Sequence, residues 1–86
     1  MTFEGAVVKE QGVTFGIVVV KESAIRDTSK AQDLIEQFQP IMGVVPVVLM
    51  AQDFRGTPNY YGRKDVVNFL AGIDSRRIPW KKYSYN

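Results

Sequence analysis

The chain contains no cysteine and no histidine among its 86 residues. The first absence excludes disulfides, thiolate nucleophiles and any redox pair. The two together exclude metal sites that need nitrogen or sulfur ligands, and nucleophile–base arrangements built on Cys or His. Long apolar runs are also missing. The longest, IMGVVPVVLMA from Ile41 to Ala51, is far too short to span a bilayer and contains Gly43 and Pro46. The opening MTFEGAVVKEQG has no basic stretch leading into an apolar run, so no signal peptide is expected. Neither a P-loop nor a G-x-G-x-x-G occurs; GVTFGI holds only two strand glycines. These absences predict a soluble cytoplasmic protein that is not an enzyme, with no cofactor, no metal and no membrane partner.

What remains is a globular composition, 45% hydrophobic and 23% charged, in a chain long enough for one domain over residues 1–86. The charge is unevenly placed: residues 1–53 sum to −3 and residues 54–86 to +5. Seven of the ten aromatic residues also fall in the second segment. Such asymmetry marks either an anion-facing surface or charges that pair across one globule.

Periodicity places the elements. TFEGAVVKE reads as a short strand, about 3–9, interrupted by Gly5 and therefore an edge. A turn at EQG leads to a second strand, about 13–20, with Val13, Phe15, Ile17 and Val19 on one face. DTSKAQDLIEQFQP is a helix whose apolar face is Ala31, Leu34, Ile35 and Phe38. Ser29 with Gln32 fits a capping box, and Asp27 and Thr28 are alternative caps. Pro40 sets its end near Gln39. GVVPVVLMAQ is a buried strand, about 44–52, with Pro46 at its start. A turn at DFRGTPN, a short strand NYYG and a helix GRKDVVNFLAG follow, the helix carrying a stripe of Val66, Val67, Leu70 and Ile73. The fold class is α+β: a two-layer sandwich in the order β-β-α-β-β-α, both helices on one face, with an irregular C-terminal tail. The tail, residues 74–86, packs on the domain, and the second sheet face is left for it or for another copy of the chain to cover.

The stretch LIEQFQPIMGVVPVVLMAQDFRGTPNYYGRKDVVNFL, residues 34–70, resembles the C-terminal half of a thioredoxin-like fold as a pattern of residue classes. That family has a helix, a proline just before an apolar strand, a turn, a short strand ending in Gly and a closing helix. The resemblance makes Pro46 the counterpart of the family's cis-proline facing the redox site. This chain departs from the family by having no Cys, and nothing matches the family's central strand and redox helix. The resemblance implies a non-redox relative.

Two groups of residues point to binding. Gly62, Arg63 and Lys64 at the start of the second helix join free backbone N–H groups to two cations, an anion-site candidate to which Arg55 in the preceding loop is added. Tyr60 and Tyr61 alternate, so one faces the helix layer and the other the open sheet face. In the tail, Arg76, Arg77, Lys81 and Lys82 can neutralise phosphates while Trp80, Tyr83 and Tyr85 stack on bases. Alternatively, Ile78 and Trp80 anchor the tail on the sheet with the lysines pointing out, or the tail docks on a partner. The carboxylates Glu22, Asp27 and Asp53 are the remaining acid–base groups; the simpler reading makes Asp27 a helix cap and the others solvated. The function expected is a protein-interaction or homo-oligomerising module, acting on an unknown protein partner or on itself as a homodimer. The alternative is a nucleic-acid-binding module using the basic-aromatic C-terminal segment.

Overall fold

The computed structural model describes residues 1–10 and 12–85. Strands β1 (Thr2–Glu10) and β2 (Val13–Val19) form an antiparallel hairpin. Gly12 takes φ 80° at its turn, while Gln11 of the expected EQG turn lies outside the described residues, as does Asn86 of the tail. A short helix α1 (Glu22–Arg26) and a long helix α2 (Thr28–Met42) carry the chain to β3 (Val47–Gln52), which pairs parallel to β2. A parallel pair requires such a crossover. β4 (Pro58–Tyr61) returns antiparallel to β3, and α3 (Lys64–Ala71) follows. After one 3-10 turn (Ser75–Arg77), β5 (Lys81–Ser84) pairs antiparallel to β1. The result is a mixed α+β domain with one five-stranded sheet, ordered β4-β3-β2-β1-β5.

The helices cover both faces of the sheet, not one. Ala31, Leu34, Ile35 and Phe38 of α2 pack with Val18, Val47 and Leu49. Val66 and Leu70 of α3 pack with Phe15, Ile17, Val48 and Met50. The alternate residues Val47/Leu49 and Val48/Met50 of one strand thus enter different clusters, which corrects the two-layer arrangement. The physical reason is in the strands: apolar residues run consecutively through GIVV of β2 and VVLMA of β3, so each strand needs cover on both sides. Each fully buried Val, Leu or Phe there contributes about 1.5–3 kcal/mol of transfer free energy.

Several local expectations are also corrected. Gly5 does not mark an edge strand, because β5 lies outside β1. The tail is not irregular throughout, because residues 81–84 form that strand. A short helix not expected from the sequence, α1, forms before Asp27, with Glu22 and Arg26 paired one turn apart. Pro40 does not end α2. The helix continues to Met42 and stops at Gly43, whose φ of 94° breaks the helical path. Only Ile41 and Met42 follow Pro40 in the helix, so its missing N–H costs one bond close to the helix end. Gln39 then caps the exit, its Nε2 donating to the carbonyls of Gly43 and Val45.

Of the three possible caps of α2, Asp27 is the one used. Its Oδ1 accepts from Ser29 N at 3.0 Å and Lys30 N at 3.2 Å. Asp27→Ala is expected to cost about 1 kcal/mol in a urea titration, with Ser29→Ala costing clearly less.

Candidate functional site

The basic and aromatic residues do not converge. Tyr60 and Tyr61 lie on β4 and Lys81–Tyr83 on β5, the opposite edges of the sheet. Four strand spacings separate them, about 19 Å. Arg55 lies in the turn beyond the Gln52–Pro58 pair, whereas Gly62 follows the Leu49–Tyr61 pair at the other end of the hairpin. Arg55 is therefore not part of a site with Arg63 and Lys64; its guanidinium sits 5.3 Å from the centroid of the exposed Phe54 ring.

At the start of α3, Arg63 Nε pairs with Asp65 Oδ1 at 2.8 Å. The hydrogen bond from Arg63 lowers the Asp65 pKa. Asp65 also accepts from Val66 N, so a carboxylate already occupies the first turn that an anion would use. Gly62 is required there for a different reason. A Cβ on it would stand 3.0 Å from Val48 Cγ2 and 3.2 Å from Val48 Cα, so the chain passes directly over β3.

The tail residues are held by the domain itself. Ile78 is buried against Ala6, Phe15 and Ile17 on the α3 face, and Trp80 packs half-buried beside it. Trp80 Nε1 donates to the Ser75 carbonyl at 2.9 Å. Tyr83 stacks on Phe3 at 5.0 Å between centroids and carries the Lys81 ammonium 4.9 Å above its ring. Tyr85 meets Phe3 and Phe38 edge-on. Arg76 is bound to Asp74, through Nε to both carboxylate oxygens at 3.1 Å and Nη2 to Oδ2 at 2.7 Å. That hydrogen bonding holds the Asp74 carboxyl down at about 2. Because the folded-state value lies below the ordinary Asp value, the stabilisation is present above about pH 4 and is lost as pH falls toward 2. A carboxyl-resolved NMR titration is expected to show this low midpoint, and Arg76→Gln to raise it.

Tyr60 and Tyr61 do point to opposite sides, but both sides are covered: Tyr60 joins the α3 cluster and Tyr61 the α2 cluster. The Tyr60 hydroxyl is buried without a hydrogen-bond partner, and burial raises its pKa. Glu22 and Asp53 line one cleft with Tyr60, and Asp27 lies outside it. Each carboxylate is already engaged. Glu22 pairs with Arg26, and Asp53 Oδ1 accepts from Arg55 N at 2.8 Å and Thr57 N at 3.0 Å.

Sequence reasoning missed the sheet edge. β1 runs from Thr2 to Glu10, but β5 pairs only with Thr2–Gly5. Among the described residues, no strand lies beside residues 6–10, AVVKE, on that side. The other outer edges are guarded: β4 begins with Pro58 and β5 carries Lys81 and Lys82, devices that discourage strand addition. The free half of β1 carries charge only at its end, in Lys9 and Glu10; its first three residues are apolar, and Val7 is 46% exposed. A groove of about 590 Å³ runs beside it, floored by Val8, Phe69, Ile73, Ile78 and Pro79. The alternating AVV of β1 marks a strand in the sequence, but nothing there shows where its partner stops.

No helix among the described residues is long and apolar enough to cross a membrane. Compared with known proteins, the chain matches no family model, no curated protein and no solved structure.

Proposed function

We propose that this chain is a small non-catalytic protein-interaction module that takes its partner at the free half of β1. The observation that carries the reading is an unpaired strand segment with an exposed valine beside a groove lined by both apolar and charged residues, on a sheet whose other edges are guarded. An open edge is a template for another chain, and strand addition is a recurring mode of peptide recognition. The aromatic groups that a nucleic acid would stack on are engaged within the fold, and the cations are dispersed over both sheet edges and both ends of α3.

The test places a photo-cross-linking side chain at Val7 and, in separate variants, at Asn59 of β4 and Lys82 of β5, in the producing cell. A polypeptide adduct at position 7, well above the yield at 59 and 82, is the expected result. Equal yields at the three edges, or none at position 7, would contradict the reading. Titration with single- and double-stranded oligonucleotides at low salt is expected to give no saturable binding.

A further inference from the structure

Resting on that reading of the β1 edge, we infer that its occupant is a second copy of this chain, paired antiparallel about a two-fold axis at Val8. The hydrogen-bond alternation fixes which backbone groups are on offer. Met1 and Tyr85 exchange two bonds, Met1 N to Tyr85 O and Tyr85 N to Met1 O, each 2.9 Å. In an antiparallel ladder such exchanges recur at every second residue. The register then gives exchanges at Phe3–Tyr83 and Gly5–Lys81. Beyond Lys81 the same alternation turns the N–H and C=O of Val7 and Lys9 outward.

Those two residues stand on either side of Val8, so the free segment is complementary to itself. Around a two-fold at Val8, Val7 of each copy faces Lys9 of the other, and each such pair exchanges two bonds. Every outward group is then satisfied. Ala6 faces Glu10, so the pairing uses the five free residues of each strand and none outside them. After Glu10 the chain reverses into β2, with Glu10 facing Val13, so the strand of the copy stops short of Lys81. No other two-fold register does this. Centred on Ala6 or Val7, the copy needs the outward groups of Gly5, which Lys81 already holds. Centred on Lys9 or Glu10, Val7 falls opposite a position beyond Glu10, the last residue of β1. A centre between two residues sets outward groups against inward ones and makes no ladder.

The side chains agree with that register. Facing residues share a sheet face. Val7 and Lys9 are on the α2 side, so the Lys9 stem of each copy lies over the exposed Val7 of the other with its ammonium in water. Lys81 comes next along that edge, but its ammonium is drawn over Tyr83, away from the copy. Ala6 and Val8 belong to the α3 side, and by alternation Glu4 and Glu10 do too. Glu10 of the copy, opposite Ala6, therefore follows two pairing positions after Lys82, which is opposite Glu4. That is roughly 7 Å along one edge and one face, a spacing that suits a carboxylate and an ammonium. Neither Glu10 nor Lys82 has an ion-pair partner among the described residues. At the axis the two Val8 side chains meet, and the groove floored by Phe69, Ile73 and Ile78 continues into that of the copy.

Five residues a side make a small interface, so sedimentation equilibrium of the whole chain is expected to show a dimer with a midpoint between about 10 μM and 1 mM. Two sets of variants fix the register. Val7→Lys sets a second ammonium against Lys9 of the copy and Val7→Glu a carboxylate, at an exposed position. Val7→Glu is expected to dimerise roughly tenfold more tightly than Val7→Lys, since two facing pairs change sign. A chain without cysteine also reports its own pairing through one introduced thiol. The two Val8 Cα atoms stand about 4.5 Å apart in this register, within disulfide reach. Val7 and its copy, like Lys9 and its copy, are about 8 Å apart, beyond that reach. In a glutathione buffer Val8→Cys is expected to link well above Val7→Cys and Lys9→Cys, although both of those positions are more exposed. A chain that stays monomeric to 1 mM, equal dimerisation of the two charge variants, or a Val8→Cys yield no greater than the other two overturns the inference. If position 7 then still cross-links to a different polypeptide, only the second copy falls. If position 7 gives no adduct, the reading of the edge as an interaction site falls with it.

Discussion

Gly5→Ala is expected to destabilise the domain by about 3 kcal/mol, whereas Gly16→Ala costs less than about 1 kcal/mol. Both glycines lie in the β1–β2 hairpin and both have the α2 side of the sheet over them. Gly5 pairs with Val18 and Gly16 with Val7, an odd and an even position whose side-chain directions coincide because pairing is antiparallel. What an added methyl would meet differs. At Gly5 the new Cβ stands 2.5 Å from the Ile17 carbonyl oxygen, with the Phe3 ring at 3.2 Å and the Tyr83 ring at 3.5 Å. A main-chain carbonyl in the middle of a sheet cannot move aside without displacing the ladder. At Gly16 the obstacle is the terminal methyl of Met42, at 2.6 Å. Three rotatable bonds let that group swing away. Denaturant midpoints at an unchanged slope measure the pair, and equal losses at the two sites would refute the distinction. For a domain of this size total stability is roughly 5–10 kcal/mol, so Gly5→Ala removes a large share of it.

Phe3→Ala is expected to cost about 2–3 kcal/mol and to release β5 first. Phe3 is the hub of the aromatic group that fastens the last strand. It stacks on Tyr83 at 5.0 Å and meets Phe38 of α2 at 4.9 Å and Tyr85 at 5.6 Å. β5 itself pairs over only four residues. Without the ring, four residues of ladder, the Met1–Tyr85 bonds and the edge-on Tyr85–Phe38 contact are left to hold the strand. Amide exchange is the decisive readout: Lys81–Ser84 should lose protection well before Ile17 or Leu49 does. Loss spread evenly over the sheet would show that Phe3 acts through global stability alone. Phe3→Leu keeps much of the area without the ring geometry and should fall between the two.

Both predictions concern the boundary of the proposed docking edge. Gly5 is where β5 stops, and Phe3 holds β5 in place. A variant that frees β5 lengthens the open edge from residues 6–10 toward Thr2, so Phe3→Ala should also raise strand-mediated association of the chain.

The helices were legible because their signals are local. Ala31, Leu34, Ile35 and Phe38 fall at helical spacing, as do Val66 and Leu70, and all of them pack where that spacing points. Asp27 was legible only as one of three caps, since the choice depends on the φ and ψ of the preceding turn. α1 carried one signal, the Glu22–Arg26 spacing, which is too weak alone to specify five residues of helix. The candidate binding residues were found by type, and their arrangement was not legible. Arg55 and Arg63 are eight residues apart in sequence, yet a hairpin sends them to opposite ends of β4.

The sequence by itself determined the chemical limits of this protein: without Cys or His, no thiolate, imidazole or redox pair is available at any site. It also determined the helices and the central strands, because periodicity and turn residues act over a few positions. Only the tertiary structure decided that α2 and α3 take opposite faces, that Ile78 and Trp80 belong to the core side, and that β1 is half covered. These depend on pairing between residues as distant as Met1 and Tyr85, 84 positions apart. Such pairing is selected by which surfaces remain to be buried once the local elements have formed, and that is a property of the assembled sheet and of no single segment.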